Sequence, residues 1–178
     1  VGFVAPFLEK KLPEGLNLIV GALAIAPLAR IIAIAVDPVV NSTLLNIGRM
    51  ISAAAEQSPL IMGFLLGGIM KMICTSPLSS MALTAMLGLD GLAMGIAAIA
   101  CVGGSFTNGI IFDRLKLGER SNVIAVMLEP LTQADIITQN PIPIYGSNFF
   151  GGGLAGLAAA MLGIINNAPG TASPIPGL

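Results

Sequence analysis

Residues 91–112 read GLAMGIAAIACVGGSFTNGIIF, an apolar stretch without a charged residue between Asp90 and Asp113. A transmembrane α-helix needs about 20 consecutive residues of mainly apolar character. This stretch is long enough to provide them, and it would place Asp90 and Asp113 on opposite sides of a membrane. The sequence therefore predicts a membrane-spanning helix here.

The composition of the whole chain indicates the same environment. Hydrophobic residues make up 55% of the 178 residues and charged residues only 10%, whereas a typical soluble domain carries about 25% charged residues. These few charges cannot cover a water-exposed surface. The net charge of -1 also provides no basic surface for nucleic acid. We therefore predict an all-α integral membrane protein in contact with a lipid bilayer, without a nucleic-acid partner.

Ionisable residues interrupt three further apolar runs. They are residues 16–36 with Arg30, residues 59–73 with Lys71, and residues 122–137 with Glu129 and Asp135. After Asp135 the sequence has no charge, and residues 148–165 are predicted to form a helix. Residues 41–57 alternate apolar and polar side chains at helical spacing, which favours an interfacial or linking helix.

Glycines recur at one-turn spacing in several of these runs. The pairs are Gly63 with Gly67, Gly91 with Gly95, and Gly152 with Gly156. Small residues at this spacing allow membrane helices to approach each other closely. We expect helix packing at these positions.

Two short segments place proline and several polar residues directly after an apolar run. They read CTSPLSS at residues 74–80 and EPLTQAD at residues 129–135. Irregular backbone of this kind is tolerated at membrane depth only where it is buried in protein or lines a cavity. The predicted fold is therefore a helical bundle with re-entrant hairpins or broken helices.

The densest polar cluster comprises Glu129, Gln133, Asp135 and Asn140. A carboxylate accepts hydrogen bonds from hydroxyl groups, while side-chain amides both donate and accept. Such groups inside a membrane usually face a cavity or each other, and this inventory suits a polyol such as a sugar. An alternative is that Asp135 and Asn140 cap helix ends near Pro141, while Glu129 pairs with a basic residue.

Thr75, Ser76 and Lys71 extend the set of candidate ligands. The two hydroxyl groups would contact either a ligand or the backbone groups freed by Pro77. Three roles are possible for Lys71: it could be a counter-ion for a phosphate group, pair with Glu129, or extend its side chain to the membrane interface. The sequence leaves these alternatives open.

The sequence offers no candidate for autonomous catalysis. It contains no histidine, and its two cysteines, Cys74 and Cys101, lie in apolar surroundings without the spacing of a zinc or redox motif. Residues 151–153 form a glycine run without the lysine that a nucleotide-phosphate loop requires. We expect no metal and no cofactor.

Three segments occur in the order found in a known family. LLGGIMK at residues 65–71, continuing through TSPLSSMA at residues 75–82, resembles the short helix and small-polar loop of phosphotransferase-system membrane subunits (EIIC). LEPLTQAD at residues 128–135, followed by QNP at 139–141, resembles the family's substrate loop. NAPGTAS at residues 167–173 resembles its closing turn. The resemblance is closest to the EIIC-like group that includes perfringolysin-regulator-type proteins.

This resemblance implies a multi-pass sugar carrier of the bacterial inner membrane. The family's substrate-loop acid and amide positions would fall on Glu129 or Gln133, and the spacing to Asn140 and Pro141 favours Gln133. The sugar would bind there beside the loop at residues 75–80, and a separate EIIB protein would phosphorylate it. Family carriers are longer, so residues 1–178 are expected to form a single membrane domain, the C-terminal, substrate-binding part of a larger carrier. The remaining half or a second copy of the chain would be its partner.

Two other functions are compatible with the same features. A membrane sensor or regulator could keep the fold without phosphotransfer, and no EIIA or EIIB domain is present in the sequence. An ion- or proton-coupled carrier could use Asp135 and Glu129 as relay groups.

Overall fold

The computed structural model describes residues 16–175, which form seven α-helices and one short 3-10 helix. The α-helices are α1 Leu16–Gln57, α2 Pro59–Thr75, α3 Ser80–Leu87, α4 Gly91–Leu115, α5 Arg120–Leu128, α6 Ala134–Gln139 and α7 Pro141–Met161, and the 3-10 helix is Pro130–Gln133. The prediction of an all-helical fold is confirmed.

Within residues 16–175, two helices are long and apolar enough to cross a membrane: Pro27–Gln57 within α1, and Gly91–Leu115, which is α4. The second contains the uncharged stretch at residues 91–112. Its 25 residues give a length of about 37 Å, more than the roughly 30 Å of bilayer hydrocarbon.

The chain divides into two compact units, Val1–Thr43 and Leu44–Leu178. In the first unit the described structure is the N-terminal part of α1, where Ile31, Ile32 and Ile34 are each more than 60% exposed. Residues 41–57, predicted as an interfacial or linking helix, are helical as the last part of α1. The helix continues through Pro27 and Pro38.

In the second unit α2, α4 and α7 pack through glycines. A Cβ atom on Gly67 would lie 2.6 Å from the backbone oxygen of Gly152, and one on Gly63 would lie 2.9 Å from that of Gly156. These pairs run in opposite sequence directions, so α2 and α7 are antiparallel. The predicted packing role is confirmed for these four glycines, whereas nothing lies within 4 Å of a Cβ on Gly91.

Polar side chains separate two hydrophobic clusters along α4 and α7. The larger cluster includes Cys101 on α4 and Ala159 on α7, and the smaller one includes Phe112 and Ile144 on the same helices. Between these positions lie Asn108 and Asn148, and the neighbouring face of α2 contributes Lys71 and Thr75. These four residues, all at most 2% exposed, are called the polar layer below.

Both proline-containing segments interrupt helices, as predicted. After α2 ends at Thr75, the Ser79 side chain caps α3 by accepting a hydrogen bond from the Ala82 N–H at 3.1 Å. After α5, Glu129 caps the 3-10 helix, where its Oε1 atom accepts from the Leu131 N–H at 3.3 Å. Side-chain oxygens thus satisfy backbone donors that the breaks leave free.

The C-terminal turn is held against two helix starts. The Asn166 N–H donates to the Gly91 backbone oxygen at 2.9 Å, and the Asn167 side chain accepts from the Gly91 N–H at 3.3 Å. The Ser80 hydroxyl donates to the Ala172 backbone oxygen at 2.6 Å. These bonds place Ser173 beside the start of α3.

Candidate functional site

A small pocket lies where the two helix breaks and the C-terminal turn meet. Its lining includes Cys74, Ser79, Ser80, Glu129, Leu131 and Ser173, and its volume is about 50 Å³. A cavity of about 10–15 Å³ on this measure holds one water molecule, so the pocket has room for a few waters. We call it the Glu129 pocket.

Glu129 is the only acidic residue of the pocket lining. It is exposed, and one of its carboxylate oxygens accepts from the Leu131 N–H. A carboxylate has two oxygens with several acceptor positions, so the second oxygen remains suited to a ligand hydroxyl. The structure therefore brings Glu129 to the segment at residues 74–80, as the resemblance implied.

Hydroxyl groups of the first break mainly bond to backbone. The Ser76 hydroxyl donates to the Ile73 oxygen at 2.7 Å and accepts from the Leu78 N–H at 3.2 Å. The sequence allowed either a ligand or the backbone as the partner of this hydroxyl. In the structure the Ser76 hydroxyl bonds to the backbone. Thr75 instead faces the polar layer, where its hydroxyl accepts from the Asn108 amide at 3.3 Å.

The other residues of the sequence-predicted cluster lie outside the Glu129 pocket. The Gln133 side chain accepts from the Asn122 amide at 2.6 Å and donates to the Thr132 hydroxyl at 3.2 Å. Asp135 is exposed in the first turn of α6. The Asn140 amide donates to the Ile136 oxygen at 3.1 Å between α6 and α7. The geometry thus engages Gln133 and Asn140 in local contacts.

Lys71 is fully buried at the centre of the three-helix packing. Its aliphatic chain lies against Gly104 and Gly152, which have no side chains to exclude it. Its ammonium group donates to the Cys101 backbone oxygen at 3.3 Å. Gly104 is close to the middle of α4, so Lys71 sits at mid-helix depth and does not reach an interface. Buried ionisable groups at such depth commonly mark functional positions.

Asn108 and Asn148 complete the polar layer. The Asn148 amide donates to the Asn108 side-chain oxygen at 2.7 Å, and Asn108 in turn donates to Thr75. Among the described residues, none donates to the Asn148 Oδ1 atom, which is buried. Sequence reasoning missed both asparagines, although an amide inside a predicted membrane helix is a signal that could have identified them.

Comparison with known proteins places the chain in a family. The family model described as Phosphotransferase system, EIIC matches residues 1–178, the whole chain. No curated protein and no solved structure matches it.

Proposed function

The chain belongs to the phosphotransferase-system EIIC family of membrane transport components, and from this premise we propose that it binds a sugar at the Glu129 pocket. In this proposal the chain carries the sugar across the bacterial inner membrane, and a separate EIIB protein phosphorylates it. The chain's own residues bind and orient the sugar, while the phosphoryl chemistry belongs to the partner.

The observation that carries this proposal is the convergence of two helix breaks on one carboxylate. Glu129 from the second break faces Cys74, Ser79 and Ser80 from the first. Broken helices in carriers commonly line substrate sites, because irregular backbone at membrane depth must face a cavity or protein. The free acceptor positions of Glu129 would receive two neighbouring sugar hydroxyls.

The present volume of the pocket implies movement during sugar binding. A cavity of about 50 Å³ is smaller than a sugar ring, which is several times larger than water. Binding would therefore separate the first break from the second and enlarge the pocket. Relative movement of such elements is the usual basis of alternating access.

The polar layer supports a path that continues inward from the pocket. Cys74 lines the pocket, and the next residue, Thr75, belongs to the layer through its bond with Asn108. Lys71 lies one helical turn before Thr75 on α2. We propose that these groups stabilise the sugar hydroxyls after they leave Glu129, with Gln133, Asp135 and Asn140 as outer contacts that bind more weakly.

Binding by the purified protein tests the site. A panel of hexoses and disaccharides would be screened by calorimetry, first with the unaltered chain and then with Glu129→Gln. We expect Glu129→Gln to weaken binding at least about tenfold, because a charge-assisted hydrogen bond contributes about 1.5–3 kcal/mol. Asp113→Asn, at an exposed carboxylate in the last turn of α4 and outside the pocket, is the matched control and should bind normally. Equal affinity of Glu129→Gln and the unaltered protein would refute the site.

Uptake by vesicles separates transport from sensing. Proteoliposomes that contain the chain would be supplied with labelled sugar, with and without phosphorylated EIIB. Accumulation of phosphorylated sugar only with EIIB supports the carrier. Binding without uptake in either condition supports a sensor, and uptake that follows a proton gradient without EIIB supports an ion-coupled carrier.

A further inference from the structure

Two thiol groups meet behind the Glu129 pocket. Cys74 is in the last turn of α2, and Cys101 is in the middle of α4. Both residues belong to the same buried hydrophobic cluster. The Cys101 sulfur lies 3.9 Å from the backbone oxygen of Met70, one turn before Cys74. The Cys101 side chain is therefore directed at the turn of α2 that leads to Cys74.

The adjoining contacts hold this interface closed. The Lys71 ammonium donates to the backbone oxygen of Cys101 itself, and Gly104 lets α4 approach the Lys71 side chain. A disulfide requires Cα atoms about 4.4–6.8 Å apart, a separation that close helix packing through glycine favours. Close packing of α2 against α4 beside Cys101 thus favours pairing within one chain.

The two thiols differ in their access to solvent. Cys74 lines the Glu129 pocket, whereas Cys101 has no exposed surface. A small oxidant would therefore meet Cys74 first, and only then could Cys101 take part.

We propose that Cys74 and Cys101 form a peroxide-reactive modification site that closes to an intramolecular disulfide. The Cys74 sulfur attacks hydrogen peroxide, the O–O bond breaks, and the thiol proton leaves with hydroxide as water. The Cys101 sulfur then attacks the resulting Cys74 sulfenic acid, the S–OH bond breaks, and a second water forms. Two thiols lose two electrons in total, and one peroxide gains them.

This proposal does not depend on sugar binding. Cys74 lines the pocket, but neither thiol is proposed to bind the sugar, and the reaction requires only the thiol pair and the opening beside Cys74. Failure of peroxide oxidation would leave the sugar site intact, and failure of sugar binding would leave the thiol chemistry intact.

The test follows the two thiols by peptide mass spectrometry. The reduced full chain in detergent would be treated with hydrogen peroxide, digested without reductant and analysed for a crosslinked peptide pair. We expect residues 74 and 101 to be joined, with the loss of two hydrogen atoms and recovery of both thiols by dithiothreitol. Glutathione disulfide at the same concentration should leave the thiols reduced, because it is bulky and Cys74 is only 6% exposed.

Single variants establish the order of events. In Cys101→Ala the reaction should stop at a Cys74 sulfenic acid, which dimedone traps. In Cys74→Ala the Cys101 thiol should persist under the same treatment. Alanine keeps both positions apolar, and equal melting temperatures of the reduced variants and the unaltered chain would show that both fold.

Several results would overturn the proposal. The thiols could survive peroxide that oxidises the exposed Met161, in which case the pair is not a reactive site. A crosslink between two molecules would contradict pairing within the chain. Loss of the Cys101 thiol in Cys74→Ala at the rate of the unaltered protein would contradict the order, and equally fast reaction with glutathione disulfide would contradict selection by size.

Discussion

The Asn148 amide donates a hydrogen bond of 2.7 Å to the side-chain oxygen of Asn108, and this bond joins α7 to α4 between two hydrophobic clusters. The Asn108 amide in turn donates a hydrogen bond to the hydroxyl group of Thr75 on α2. One continuous chain of side-chain bonds therefore links the three helices that form the centre of the second unit. Because Thr75 directly follows Cys74 of the Glu129 pocket, the same chain connects the pocket to the interior.

Replacement of Asn108 should destabilise the bundle. Asn108→Leu keeps the approximate volume but leaves the buried Asn148 amide without its acceptor and Thr75 without its donor. A buried polar group left unpaired costs about 1–3 kcal/mol, although hydrogen bonds between membrane helices average about 0.6 kcal/mol. We expect a loss of about 1–2 kcal/mol in the free energy of unfolding, measured by detergent titration.

Gln139→Ala, at an exposed position in the last turn of α6, is the control and should change the free energy of unfolding by less than about 0.5 kcal/mol. Equal stability of Asn108→Leu and the unaltered chain would contradict the role of the bond.

Two glycines of α7 should respond in opposite ways to a methyl group. In Gly152→Ala the new Cβ would lie 2.7 Å from the backbone oxygen of Gly67 and against the Lys71 side chain, so we expect a destabilisation of about 1–3 kcal/mol. Gly146→Ala is the control, since nothing lies within 4 Å of its Cβ position. Alanine is favoured over glycine within a helix by up to about 1 kcal/mol. Thermal melting of the two variants in the same detergent should therefore move in opposite directions, and a shift in the same direction would contradict the packing.

The sequence anticipated features that depend on local pattern. Proline and small polar residues after apolar runs indicated both helix breaks, and one-turn glycine spacing indicated helix packing at the glycines through which α2 and α7 meet. These patterns reflect backbone restrictions that act within a few residues. The position of Glu129 beside the first break, by contrast, came from the family resemblance, because no local rule states which two breaks meet.

The remaining features depend on partners distant in the sequence. Asn108 lies in a stretch whose apolar character suggested only a membrane span, and its role follows from Asn148, 40 residues away. Gln133 has the chemistry of a sugar ligand, yet its amide bonds to Asn122 across a turn. The sequence predicted residues 16–36 and 41–57 as separate segments, but α1 continues across both and through Pro38, as proline permits in membrane helices where freed backbone groups find other partners.

Lys71 should be dispensable for folding when its volume is kept. Lys71→Met replaces a buried charge by an apolar chain of similar size, a change that is often neutral or stabilising. Lys71→Ala removes the chain that fills the space beside Gly104 and Gly152, and the resulting cavity should cost about 2–5 kcal/mol. We expect the melting temperature of Lys71→Met to equal or exceed that of the unaltered chain and that of Lys71→Ala to fall. If Lys71→Met nevertheless loses sugar uptake, its charge serves transport; unchanged uptake would remove Lys71 from the proposed path.

Bound sugar should protect Cys74 from a small thiol reagent. Cys74 lines the same pocket as Glu129, so a sugar held by that carboxylate would cover the thiol. The measurement uses Cys101→Ala, which prevents disulfide formation, and follows its labelling by methyl methanethiosulfonate. At a sugar concentration about ten times the Kd, roughly one site in ten stays free, and labelling should slow about tenfold. With Glu129→Gln added, the same sugar concentration should give little protection.

The control is Ser121→Cys in a chain that also carries Cys74→Ala and Cys101→Ala. Ser121 is exposed at the start of α5, so the labelling rate of a cysteine at this position should be the same with and without the sugar. A sugar that binds tightly but leaves the Cys74 rate unchanged would place the binding site elsewhere, because Cys74 and Glu129 line the same pocket.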